Sequence, residues 1–177
     1  MKAKVSFVVT IAWLAAASMA FAQDQRDVRL AEDVGRALNG YVRLTIFDDV
    51  NAQVENGQVT LSGKVTMPFK KDDIEKRIGK IDGVRGVRSD IGVLPVSPFD
   101  EQLRARVARA IYGNPSFWNY AAMARPPIHI IVENGRVTLA GVVNSNVERM
   151  LARSLATGLG ELSVTSELKT DDEVRSE

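Results

Sequence analysis

The chain has 177 residues, no cysteine, one histidine and nearly balanced charge, 23 Lys and Arg against 22 Asp and Glu. The lack of cysteine excludes a disulfide framework, a thiolate metal centre and lipid attachment at a cleavage-site cysteine. The charge balance lends no support to nucleic-acid binding, and the length suits one domain or two small ones.

Lys2 and Lys4 precede an apolar run from Val5 to Ala20, which ends at Ala20-Phe21-Ala22. A basic start, an apolar middle and an A-x-A site predict a signal peptide over residues 1–22, with Gln23 first in the mature chain. The alternative, a retained anchor, is disfavoured because the run is short for a span. Removing Lys2 and Lys4 leaves fewer basic than acidic residues. The expectation is an exported, soluble protein.

From Arg26 the chain reads as a helix, with Leu30, Val34, Leu38 and Tyr41 on one face and Gly40 near its end. Strands over 45–54 and 58–65 follow, joined by Asn56-Gly57. Asn-Gly between alternating runs signals a type I′ turn, because both turn positions need positive φ. A two-residue turn sets Glu55 opposite Gln58, Val54 opposite Val59 and Ala52 opposite Leu61. Val50, Ala52, Val54, Val59, Leu61 and Val65 then face a core, and Gln53, Glu55, Gln58, Thr60, Ser62 and Lys64 face water. Gly63 falls on the core side, which predicts a close approach there by a covering helix or a large side chain. Pro68 suits the first turn of a second helix. Ile74, Ile78 and Ile81 face inward, Lys70, Lys71, Asp72, Asp73, Glu75 and Lys76 outward, and Gly83 ends it. Residues 84–93 read as a third strand, and Pro95-Val96-Ser97-Pro98 as a short, stiff linker.

The pattern then restarts. Leu103, Val107, Ala110 and Ile111 mark a helix, and strands over 128–133 and 137–143 form a second hairpin. Residues 132–143 match residues 54–65 at nine of twelve positions, with Asn134, Gly135 and Gly141 in the places of Asn56, Gly57 and Gly63. Ser145 and Glu148 have the spacing of a capping box. Val147, Met150, Leu151, Ser154 and Leu155 make the next helix face, and Leu162, Val164 and Leu168 the last strand. Residues 170–177 form a polar tail expected to fray. The second copy differs in two ways. Residues 114–127, which include Phe117, Trp118 and Tyr120, are inserted between its helix and hairpin. The outer face of its hairpin carries His129, Ile131, Ala140 and Val142, which suggests a cover from the insertion or the first copy.

A helix, then V-x-N-G-x-V-T-L-x-G-x-V, then a helix and a closing strand that opens Gly83-Val84 and runs through Val87, resembles the BON domain. The resemblance covers residues 26–94 and 99–169. The second copy has Gly160-Glu161 where Gly-Val is usual, which weakens its closing strand. The resemblance implies an α+β protein of two tandem αββαβ domains, each with two helices on a three-stranded mixed sheet. It also implies a periplasmic address, phospholipid binding and a role in envelope integrity or osmotic stress, with no enzymatic activity and no cofactor.

The residues themselves offer little catalytic chemistry. His129, between two isoleucines, reads as a half-buried strand residue rather than a ligand or base. Asp48-Asp49 precedes a strand, and Asp72-Asp73 suits the start of a helix. Gly83 and Gly86 have the spacing of an RNA clamp but fall at a helix-to-strand turn. The best candidate site is in the second copy. Arg104, Arg106 and Arg109 flank the apolar face of its first helix, and Phe117, Trp118 and Tyr120 follow at once. Arginines beside aromatics suit an anionic phospholipid surface. The plainer reading makes the arginines a solvated face and the aromatics core. The functional alternative is an adaptor for envelope proteins, or a stress-protective periplasmic protein, that works through the outer face of the second hairpin without lipid.

Overall fold

The computed structural model describes residues 25–176. The expected signal peptide lies outside the described residues. Helix α1 (25–39) is followed by β1 (Asp49–Glu55), β2 (Gln58–Val65), α2 (Pro68–Ile78) and β3 (Gly86–Val93). The second unit repeats this with α3 (Pro98–Tyr112), β4 (Ile128–Glu133), β5 (Arg136–Val143), α5 (Asn146–Leu155) and β6 (Ser163–Thr170). A short helix α4 (Trp118–Ala121) lies in the insertion, and α6 (Asp171–Ser176) follows β6.

Each unit has a three-stranded mixed sheet with the repeated strand in the middle, β1-β2-β3 and β4-β5-β6. The hairpin pairs are antiparallel, and the third strand runs parallel to the second. A parallel neighbour needs a crossover, which α2 and α5 provide. The register puts Glu55 opposite Gln58 and Ala52 opposite Leu61, as the turn length requires. Asn56 and Asn134 both have φ 52°, followed by Gly57 at 76° and Gly135 at 74°. Leu30, Val34 and Leu38 from α1 meet Val59, Leu61, Val65, Ile74 and Ile78 in the first core. Leu103, Val107 and Ile111 meet Ile128, Ile130, Leu139, Val143 and Ala152 in the second.

Several expectations need correction. The first strand starts at Asp49, because Asp48 turns its carboxylate inward and residues 45–48 form a turn. The second helix ends at Ile78, and Ile81 and Gly83 belong to the turn before β3. Lys70 does not face outward: it is buried and bonded to Asp48. The tail after residue 170 is helical rather than frayed, tied down by Arg149 donating to Glu173 at 2.9 Å. The unusual Gly160-Glu161 does not spoil the closing strand, since β6 pairs with β5 over eight residues.

Gly63 and Gly141 have a different reason from a covering helix. Their φ values are 117° and 109°, and a Cβ would fall 2.1 Å from the Asp49 carbonyl oxygen and 1.9 Å from that of Pro127. The close approach comes from the partner strand's own backbone, at a local irregularity in the hairpin.

The units are docked to each other. Ile46 and Phe47, in the turn before β1, pack against the second core, and the Ile130 N–H donates to the Ile46 carbonyl at 2.7 Å. Lys64 pairs with Glu133 at 3.1 Å. Ile131 and Ala140, on the outer face of the second hairpin, are buried, and Asp49, Gly63 and Lys64 of the first unit line the same cleft. The cover of that face is therefore the first unit, not the aromatic insertion.

Candidate lipid-docking surface

The insertion folds through local hydrogen bonds. The Asn114 side chain accepts from the Ser116 N–H at 3.0 Å, and Pro115 opens a 3₁₀ turn, Pro115–Phe117, where its missing N–H costs nothing. Helix α4 follows at once and is too short to stand alone. It is held by side chains that reach into the unit. Phe117 is fully buried, and its ring lies 5.9 Å from that of Tyr120. The Tyr120 hydroxyl donates to Glu148 at 2.7 Å and accepts from the Asn144 N–H at 2.9 Å. Burial first, then the bond to Glu148, pushes the Tyr120 hydroxyl up to about 12. Ser145 caps α5 by accepting from the Glu148 N–H, while the Glu148 carboxylate reaches back to the Asn144 N–H.

With Phe117 and Tyr120 turned inward, the helical spacing turns Trp118 out. It is 64% exposed, and Met123 after it is exposed too. The Tyr120–Glu148 bond sets this knuckle against the start of α5, where Val147 and Met150 are 69% and 65% exposed. Arg109, in the last turn of α3, and Arg153, in the last turn of α5, are exposed cations of the same unit. The second unit thus exposes four large apolar side chains, Trp118, Met123, Val147 and Met150, as well as guanidinium groups.

The six residues singled out in the sequence do not share this surface. Arg104 is buried, donating to Glu101 at 2.9 Å and to the Val132 carbonyl at 2.8 Å, so it ties α3 to β4. Arg106 is half-buried. Phe117 and Tyr120 are core. Trp118 and Arg109 remain available to a partner.

Sequence reasoning missed the residues that hold the hairpin turns. The Asp27 carboxylate accepts from the N–H groups of Asn56 and Gly57, and that of Asp100 from Asn134 at 2.9 Å and Gly135 at 2.8 Å. The signal was present as a second repeat, Asp27-Val28-Arg29-Leu30 and Asp100-Glu101-Gln102-Leu103. Also missed was the cluster around Asp48, whose carboxylate accepts from Thr45, Thr66 and Lys70. Burial raises its pKa, but the Lys70 ammonium and the Thr66 and Thr45 N–H groups outweigh that and hold it below the usual carboxylate range. Among the described residues, no three of His, Cys, Asp and Glu are grouped to hold a metal, and no helix is long and apolar enough to cross a membrane.

Comparison with known proteins agrees with the repeat. The BON domain matches residues 26–95 and again residues 99–172. No curated protein matches the chain. Among solved structures, CdsD, a structural protein of the type III secretion system of Chlamydia trachomatis, is 14% identical, with a TM-score of 0.29 over 84% of this chain and 96% of that one. The C-terminal domain of CdsD is 13% identical, with a TM-score of 0.27 over 77% and 94%. Scores this low carry no argument about this chain. The tandem match spans nearly all the described residues, and the chain belongs to the BON-domain family.

Proposed function

We propose that this protein is a non-enzymatic, peripheral phospholipid-binding protein of the periplasm that contributes to envelope integrity or osmotic-stress response. The observation that supports it is the exposure of Trp118 between two buried aromatics in the chain, with Met123, Val147 and Met150 of the same unit exposed as well. An indole prefers the bilayer interface, where its ring is buried and its N–H stays wet. Arg109 and Arg153 would meet lipid phosphates. The adaptor reading is the weaker one, because its working face, the outer side of the second hairpin, lies against the first unit.

The test uses protein lacking residues 1–22, in which Trp118 is the sole tryptophan. Vesicles of phosphatidylglycerol in phosphatidylcholine should shift its emission to the blue, and lipid-borne quenchers should reach it. Arg109→Glu with Arg153→Glu, or added salt, should weaken the response, since screening removes the attraction. An emission that ignores vesicles at every anionic content would overturn the reading.

A further inference from the structure

We propose that the cleft between the two units binds a small zwitterion with an apolar body, such as an apolar amino acid or a short peptide with free termini. The inference is independent of lipid docking and uses other residues. The cleft has a volume of about 480 Å³, within the usual range for small-molecule sites, which favour domain junctions. Leu38, Leu44, Ile46 and Val50 of the first unit line it, facing Pro126 and Pro127 of the second. Its body is therefore apolar and its walls come from both units.

Two opposite charges sit in this lining without meeting. Asp49 belongs to the first unit and Arg125 to the second. Among the described residues, the Arg125 guanidinium meets one acceptor, the Leu38 carbonyl at 3.5 Å, and no carboxylate. The Asp49 carboxylate accepts from the Asn51 amide at 3.0 Å and meets no cation. The other carboxylate in the lining, Asp48, is consumed by Lys70, Thr45 and Thr66. His129 also lines the cleft, and its Nδ1 is buried with no partner among the described residues. A lone cation would select an acid and a lone carboxylate an amine. One of each, in a lining that is otherwise largely apolar, matches a molecule that carries a carboxylate and an ammonium on an apolar frame. A guanidinium suits the carboxylate because its fork of donors matches the two oxygens. Such a ligand would touch both units at once and brace their joint.

Dileucine is the probe, measured by calorimetry and by the rise in unfolding temperature that ligand binding produces. Saturable binding is expected with a Kd at or below about 1 mM. N-acetyl-dileucine lacks the ammonium and dileucine amide lacks the carboxylate; each should bind about tenfold more weakly. Arg125→Ala should lose the preference for a free carboxylate, and Asp49→Asn the preference for a free ammonium. Both variants should keep the far-ultraviolet spectrum and the vesicle response of the parent. No saturable binding, equal binding of a capped form, or indifference to both variants would overturn the proposal. A failure confined to vesicle binding would instead count against lipid docking alone.

Discussion

The two units solve the same local problem with different chemistry. After the second strand of each hairpin, a backbone N–H must be satisfied before the crossover helix begins. In the first unit it is the Thr66 N–H, which donates to Asp48 at 2.7 Å, with the Lys70 ammonium 2.6 Å from the same carboxylate. In the second it is the Asn144 N–H, which donates to Tyr120 and to Glu148, each at 2.9 Å. Glu148 occupies the place of Lys70 in the repeat. One partner in each case, Asp48 or Tyr120, comes from the segment between the first helix and the hairpin. That segment is short in the first unit and turns Ile46 and Phe47 onto the other unit. It is long in the second, folds back on its own core and leaves Trp118 outside. The hairpin and its aspartate clamp are the constant part of the repeat, and each copy takes its separate role from the segment before β1 or β4.

The largest expected effect breaks this contrast in the first unit. Asp48→Ala leaves the Lys70 ammonium buried without its carboxylate and should cost about 3–5 kcal/mol, read from urea unfolding. The pH dependence follows from the sign of the shift. A carboxyl held low in the folded state adds stability above its unfolded pKa, and that stability is lost as pH falls through the folded value. The second unit also holds two carboxyls low, Glu161 by backbone N–H groups and Glu173 by the Thr170 N–H and Arg149, but neither is buried, so solvent screens them. Its buried shifted groups lie at the other end of the scale. Tyr120 is held neutral up to about 12, and burial also raises Tyr112, so their contribution is present below the ordinary tyrosine pKa and is lost as pH rises past it. Burial also raises Tyr41 in the first unit, so alkali should affect both units and acid mainly the first. Spectra of the two units tracked separately by NMR should lose the first unit first on acidification.

Next in size is a change that should hurt both units alike. Gly63→Ala and Gly141→Ala each place a Cβ against a backbone carbonyl at a positive φ. A cost of about 3 kcal/mol is expected for each, from backbone strain and overlap together. A variant that melts at the parental temperature would show that the hairpin irregularity is not required.

A second pair of variants sharpens the comparison. Asp27 and Asp100 make the same clamp, but Asp100 is buried and Asp27 only half so. Asp100→Ala should cost about 2–3 kcal/mol, since two turn N–H groups lose their acceptor away from water. Asp27→Ala should cost less, because water can replace the carboxylate. Equal losses would mean that burial does not set the value of the clamp.

These pairs also show what was legible in the residues. Asn-Gly with alternating neighbours specified turn, register and both sheet faces, because those are local and periodic. Leu30, Val34 and Leu38 specified a helix face for the same reason. Lys70 and Arg104 were misread as surface charge because pattern reasoning sends charge to solvent. Their partners, Asp48 and the Val132 carbonyl, are 22 and 28 residues away and known only once the chain is folded. The candidate surface was half legible: aromatics beside arginines marked the segment that exposes Trp118, but only the pitch of α4 decides which aromatic faces out.

The smallest effect on stability belongs to Trp118, and that is its interest. Phe117→Ala should cost about 3–5 kcal/mol, because it empties a fully buried site. Trp118→Ala, one residue later, removes a side chain that is 64% exposed, and its unfolding midpoint should lie within about 0.5 kcal/mol of the parent. Trp118, Met123, Val147 and Met150 all lie exposed on this unit, and apolar surface gathered into a patch marks an interaction site. Flotation with phosphatidylglycerol vesicles should therefore fall sharply in Trp118→Ala while the fold is untouched. A variant as stable as the parent that still floats with it would make Trp118 an idle surface residue and leave the apolar patch without a lipid role. Loss of flotation with loss of stability would instead place the indole among the residues that hold α4 against α5, and the lipid surface would need to be sought elsewhere.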